Sequence, residues 1–114
     1  MELQHIIAGA LVLLASTFGA RAQMVCTFTT ECLEADACMD STLTLEMVDG
    51  EPATLVTEFG DFAVRGVATG GALIAEGAGM VLLLSRNAEG AARASFHLEG
   101  PVAMTYLGQC EGER

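Results

Sequence analysis

The chain has 114 residues, with 15 Asp and Glu against five Arg, no Lys, and a formal net charge of −10. Nucleic acids and anionic membrane surfaces are bound through basic contacts, so this balance argues against both as partners. A phosphate loop is excluded as well: Gly66, Gly70, Gly71, Gly77 and Gly79 suggest one superficially, but no lysine is available to serve it.

The first element is a leader. Residues 6–18 (IIAGALVLLASTF) form a 13-residue apolar run, followed by Ala20-Arg21-Ala22, a small-x-small cleavage pattern. Together they predict a signal peptide over residues 1–22 and a single mature domain over residues 23–114, periplasmic or secreted, where cysteines oxidise. A retained anchor is the competing reading, because residues 1–5 hold no Lys or Arg. Spanning a bilayer takes about 20 apolar residues, however, and this run ends before Arg21, so no membrane span is expected in the mature protein. A lipid anchor at Cys26 calls for small residues before it, and Gln23-Met24-Val25 are not small.

The mature chain reads as β throughout. A strand over residues 24–30 comes first. Residues 31–41 (ECLEADACMDS) show no alternation, carry Glu31, Glu34, Asp36 and Asp40, and read as a disulfide-pinned acidic loop or one helical turn. Leu43, Leu45 and Met47 then alternate with Thr42, Thr44 and Glu46, the period of a sheet with one face in a core. Residues 54–59, 61–68, 71–76 and 80–85 fill the middle. Ala94, Phe96 and Leu98 alternate with Ser95, His97 and Glu99, and Val102, Met104 and Tyr106 continue past Gly100-Pro101. Glycines at 50, 60, 70, 79, 90, 100 and 108 separate these segments, and turns at such spacing mark an all-β sandwich or barrel. The expectation is an antiparallel meander of about eight strands forming a small barrel with a filled core, with a two-sheet sandwich as the alternative. The run Met80-Val81-Leu82-Leu83-Leu84 is apolar on both faces. It is either a central strand covered on both sides or an interaction patch carried by Met80, Leu82 and Leu84.

Four cysteines, Cys26, Cys32, Cys38 and Cys110, allow three pairings. Cys26 shares strand parity with Phe28, and Cys110 shares it with Met104 and Tyr106. If the first and last strands are neighbours, both sulfurs face the core. This favours Cys26–Cys110, with Cys32–Cys38 closing the acidic loop.

Little in the chain suggests catalysis. His97 is the only histidine after residue 22, so any nucleophile must use it. Ser95 is nearest, but residues two apart on a strand stand about 6–7 Å from each other, too far for a hydrogen bond. Cys-x-x-Cys is absent, and no motif calls for a cofactor. The acidic loop lacks the spacing of a calcium loop. A copper site from His97 with Met24, Met39 or Met104 competes with plain packing of those methionines. With no Trp and one Tyr, platforms for sugar rings are scarce.

The opening Cys-Thr-Phe-Thr-Thr-Glu-Cys (26–32), Cys38 and the Tyr-Leu-Gly-Gln-Cys ending (106–110) resemble small exported disulfide-containing proteins of Gram-negative bacteria. That resemblance implies a periplasmic location and no activity. In size, export and acidity the chain is also similar to the periplasmic lysozyme inhibitors, which are small disulfide-bonded β-barrels. Their Ser-Gly-x-x-Tyr motif is missing, since Val102-Ala103-Met104-Thr105 precede Tyr106, so no inhibitory site carries over. The expectation is a non-catalytic periplasmic binding or interaction module, with a basic protein as the partner its charge would steer towards it. The alternatives are an inhibitor of a basic secreted enzyme such as lysozyme, and a metal-binding role for the acidic cysteine loop.

Overall fold

The computed structural model describes residues 22–34, 37–100 and 102–112. The signal-peptide reading falls, up to Arg21, outside the described residues. Nine strands follow in chain order: β1 (Ala22–Leu33), β2 (Ala37–Asp40), β3 (Thr44–Val48), β4 (Thr54–Thr57), β5 (Gly60–Val67), β6 (Leu73–Gly77), β7 (Met80–Arg86), β8 (Ala91–His97) and β9 (Ala103–Gly112). All pairings are antiparallel, and β1 pairs with β9 from Met24↔Gly112 to Leu33↔Met104, closing the meander on itself. The architecture is therefore a closed barrel and not a sandwich.

β2 and β3 lie on the same edge of β1, β3 along its first half and β2 along its second. The Ser41 amide donates to the Thr29 carbonyl at 2.9 Å, and the Phe28 amide donates to the Leu43 carbonyl at 2.9 Å. These bonds stitch the two pieces into one bent stave. The result is eight staves, with the β1–β2 hairpin projecting past one end.

Alternation explains the core. Met24, Cys26 and Phe28 on β1, Leu45 and Met47 on β3, Leu82 and Leu84 on β7, and Ala94 and Phe96 on β8 are all buried. Each fully buried Leu or Phe contributes about 1.5–3 kcal/mol, so the inward parity of each stave is strongly specified. Small Ala75, Ala92 and Ala94 make room for large rings. Phe62 and Tyr106 each meet Phe96 edge to face, at 5.6 and 5.5 Å, and Phe28 meets Tyr106 at 6.2 Å. The outer wall carries exposed Glu46, Asp61, Arg65, Glu76 and Arg93, the reverse of a barrel that faces lipid. No helix among the described residues is long and apolar enough to cross a membrane.

Gly108 shows how tightly the staves close. It faces Phe28 across the β1–β9 seam, where a Cβ would collide with the Thr27 carbonyl and stand 2.6 Å from the Phe28 Cα. Only glycine lets the first and last strands approach this closely.

Two expectations change. Residues 31–41 are neither loop nor helical turn: β1 runs on to Leu33 and β2 returns beside it. All four β2 residues are exposed, so no apolar period marks the strand; a cross-strand disulfide fixes its register instead. The patch proposed for Met80, Leu82 and Leu84 is also overturned. Leu82 and Leu84 are 0% and 1% exposed and point into the barrel, and half-buried Met80 packs against the same core. Val81 and Leu83 occupy the outer face of that strand, so the run is covered on its inner side alone.

Candidate functional site

The two disulfides lie on opposite sides of the wall. Cys26 and Cys110 are register partners on β1 and β9, bonded inside the barrel with Cα atoms 3.9 Å apart. Cys32 and Cys38 are register partners on β1 and β2, with Cα atoms 4.0 Å apart. Even numbering alone would turn Cys32 inward with Cys26 and Phe28. A bulge between Phe28 and Thr30 inserts one residue of β1 relative to β9 and reverses the parity. Cys32 consequently lies on the outer wall, beside Arg93, Thr105 and Leu107. Glu31 turns the other way, opposite Tyr106.

That reversal creates the most distinctive site in the molecule. At the end of the barrel where the β1–β2 hairpin projects, a cleft of about 320 Å³ is lined by Glu31, Asp40, Ser41, Thr42, Leu43, Glu58, Phe59, Met104 and Tyr106. One wall is the bent stave between β2 and β3. The other is the two-residue turn Glu58-Phe59 between β4 and β5. The Thr57 hydroxyl pins that turn, accepting from the Phe59 amide and donating to the Gly60 carbonyl, both at 3.0 Å. Phe59 thereby folds over the barrel end, its ring edge-on to Phe96 at 5.3 Å and tilted against Tyr106 at 6.4 Å.

Tyr106 forms the floor. Its acidity is suppressed, the phenol being pushed up to about 12 by burial first, then by the charge and hydrogen bond of Glu31, and last by the charge of Glu58. At neutral pH the phenol keeps its proton beside Glu31, and both residues line the cleft.

The cleft sits on the acidic side of the barrel. Residues 22–64 contain Glu31, Glu34, Asp36, Asp40, Glu46, Asp49, Glu51, Glu58 and Asp61, and no Arg, Lys or His. Arg86 and Arg93 stand on β7 and β8, on the far side of the ring from β3, and Arg65 stands on β5, two strands from it. Arg65 pairs with Glu76 at 3.2 Å, where both side chains are more than half exposed, so the pair adds little stability.

The metal alternative gains no geometry. Glu34 is tied to the start of β9, its amide donating to the Ala103 carbonyl at 3.2 Å and its carboxylate accepting from the Ala103 amide at 3.4 Å. Among the described residues no three His, Cys, Asp or Glu gather as a metal-holding group.

The expectation for Ser95 and His97 is corrected. Their side chains lean together along the outer face of β8, bringing Ser95 Oγ within 3.2 Å of His97 Nε2. Backbone spacing sets where the Cα atoms stand, but side chains that lean along the strand close the gap. The pair lies on an exposed wall, and no carboxylate is hydrogen-bonded to the imidazole among the described residues.

Sequence reasoning places Glu31 within the acidic loop and gives Glu58 no role. Convergence of residues 31, 58 and 106 depends on barrel closure and on one bulge, and no local pattern announces either. No protein-family model, no curated protein and no solved structure matches this chain.

Proposed function

We propose that the protein is a non-catalytic interaction module of the periplasm or the extracellular space that binds a basic partner at the acidic end of its barrel. The observation that carries this reading is the distribution of charge: β1 to β4 and their connections hold Glu31, Glu34, Asp40, Glu46, Asp49 and Glu51 and no Arg among the described residues, while Arg65, Arg86 and Arg93 stand on β5, β7 and β8 among Asp61, Glu76, Glu89, Glu99 and Glu111. Uniform acidity would serve solubility alone, whereas one-sided acidity gives the molecule a direction of approach for a cation. The cleft adds an apolar lining from Leu43, Phe59 and Met104 beneath its carboxylates. A long basic side chain suits such a site, since its stem packs on carbon while its charge meets oxygen. Two disulfides support an oxidising compartment.

The test is a pull-down from exported proteins with the oxidised domain at low and high salt, together with a direct binding measurement against lysozyme as a defined basic protein. The expected result is retention of basic proteins at low salt and their release at high salt. No partner under either condition, with lysozyme unbound, refutes the reading. Loss of lysozyme activity on binding would make the protein an inhibitor of that enzyme.

A further inference from the structure

One strand edge in this barrel is left open. In the sheet order β2 is terminal, paired with β1 on one side and, among the described residues, with no strand on the other, while the eight staves close around the ring. The register and the Ser41-to-Thr29 hydrogen bond turn the backbone groups of Ala37, Met39 and Ser41 towards β1. Antiparallel alternation then directs the amides and carbonyls of Cys38 and Asp40 to the open side. Asp40 and Thr42 also line the cleft that holds Glu31, Glu58 and Tyr106.

We propose that this edge is a strand-addition site for an extended segment of a basic partner protein, with one Arg or Lys side chain entering the cleft between Glu31 and Glu58. This rests on the function proposed above and names the part of the partner that is recognised. Three observations favour it. The Cys32–Cys38 bond holds β2 in register before any ligand arrives, which lowers the ordering cost of binding. β2 has no proline, so the amides of Cys38 and Asp40 can both donate on the open side. The charge around the edge selects the occupant: a second copy would set Asp40 and Glu34 against their own counterparts, whereas a basic strand finds carboxylates on both sides. Backbone pairing would supply affinity, and the cleft would supply the preference for a cationic side chain.

The experiment uses the exported, oxidised protein and three labelled hexapeptides read by fluorescence anisotropy: alternating Thr and Arg, alternating Thr and Glu, and the Thr/Arg peptide N-methylated at alternate amides. The Thr/Arg peptide is expected to bind, the Thr/Glu peptide to fail, and N-methylation to weaken binding by about tenfold or more through lost ladder hydrogen bonds. Asp40→Pro, which removes a donor on the open side, is expected to cost a similar factor, with Asp40→Asn as the control for the lost charge; the N-methyl comparison stands even if the proline variant misfolds. Equal affinity of the methylated and unmethylated peptides overturns strand addition and leaves the acidic module intact. Failure of all three peptides while lysozyme still binds does the same. An Asp40→Pro-sensitive dimer in sedimentation assigns the edge to a second copy and also overturns the proposal. Failure of lysozyme and all peptides, with no partner retained in the pull-down, removes both readings.

Discussion

The bond between the two ends of the barrel should matter more than the one at its rim. Cys26 and Cys110 are 84 residues apart, Cys32 and Cys38 only six. In the chain-entropy description, the first restrains the unfolded chain by about 4.5 kcal/mol and the second by about 2 kcal/mol. Small domains have about 5–15 kcal/mol in total, so losing the first removes a large part of the stability. Replacing Cys26 and Cys110 by Ala also deletes two buried sulfurs, 0% and 4% exposed, which adds a packing loss. The assay is guanidinium unfolding of both double variants. With a slope of about 3 kcal/mol per molar, the midpoint falls by about 1.5 M for Cys26→Ala/Cys110→Ala and about 0.7 M for Cys32→Ala/Cys38→Ala. Mild reduction of the folded protein gives a second reading. Cys38 is exposed while the Cys26–Cys110 bond is buried, so two thiols should appear and not four. Equal midpoint shifts, or simultaneous release of all four thiols, would refute the reasoning and show the β1–β9 seam held by its ladder and packing alone.

Gly108→Ala forces a methyl against β1 and should destabilise by about 1–3 kcal/mol in denaturant titration, whereas Gly66→Ala, with open space around it, should change stability by less than about 0.5 kcal/mol. Phe59→Ala should cost about 1–2 kcal/mol, less than a fully buried Phe because the ring is 39% exposed, and should make Tyr106 fluorescence more sensitive to iodide. The raised phenol of Tyr106 sets the alkaline limit: its contribution is intact below pH 10, where both states keep the proton, and is lost from there up to about pH 12 as the unfolded chain ionises first. Ultraviolet titration should find the tyrosine ionising late, and Glu31→Gln should bring it earlier.

Strands with one polar face were legible because burial enforces a period of two. Leu43, Leu45 and Met47 were placed inward from their spacing, and they are buried. The same reasoning put Cys26 and Cys110 on facing core positions of adjacent ends. It failed for Leu82 and Leu84, whose parity matches Ala94 and Phe96, because apolar Val81 and Leu83 hid the alternation. It failed for β2 because a strand exposed on both faces has no hydrophobic period to read. The rim was illegible for a third reason. A single-residue bulge after Phe28 decides whether Glu31 or Cys32 faces the tyrosine, and Thr29 looks like any other strand residue.

An eight-stranded barrel can hold a small ligand or be filled by its own side chains. Here Phe28, Phe62, Phe96 and Tyr106 occupy the lumen and Phe59 covers its end, so the proposed recognition falls on the outside. The outer wall mostly follows the rules that make a stable, soluble fold. The rim departs from them three times in one place. A carboxylate on the first stave faces the aromatic floor, a strand edge is left open among the described residues, and Met39 and Phe59 stay 62% and 39% exposed. Each departure alone costs stability or risks association, and such local conflicts concentrate where function demands them. Their coincidence at Glu31, Asp40 and Phe59 makes this end of the barrel the place where a partner would relieve all three at once, by adding a strand, a positive charge and an apolar surface together.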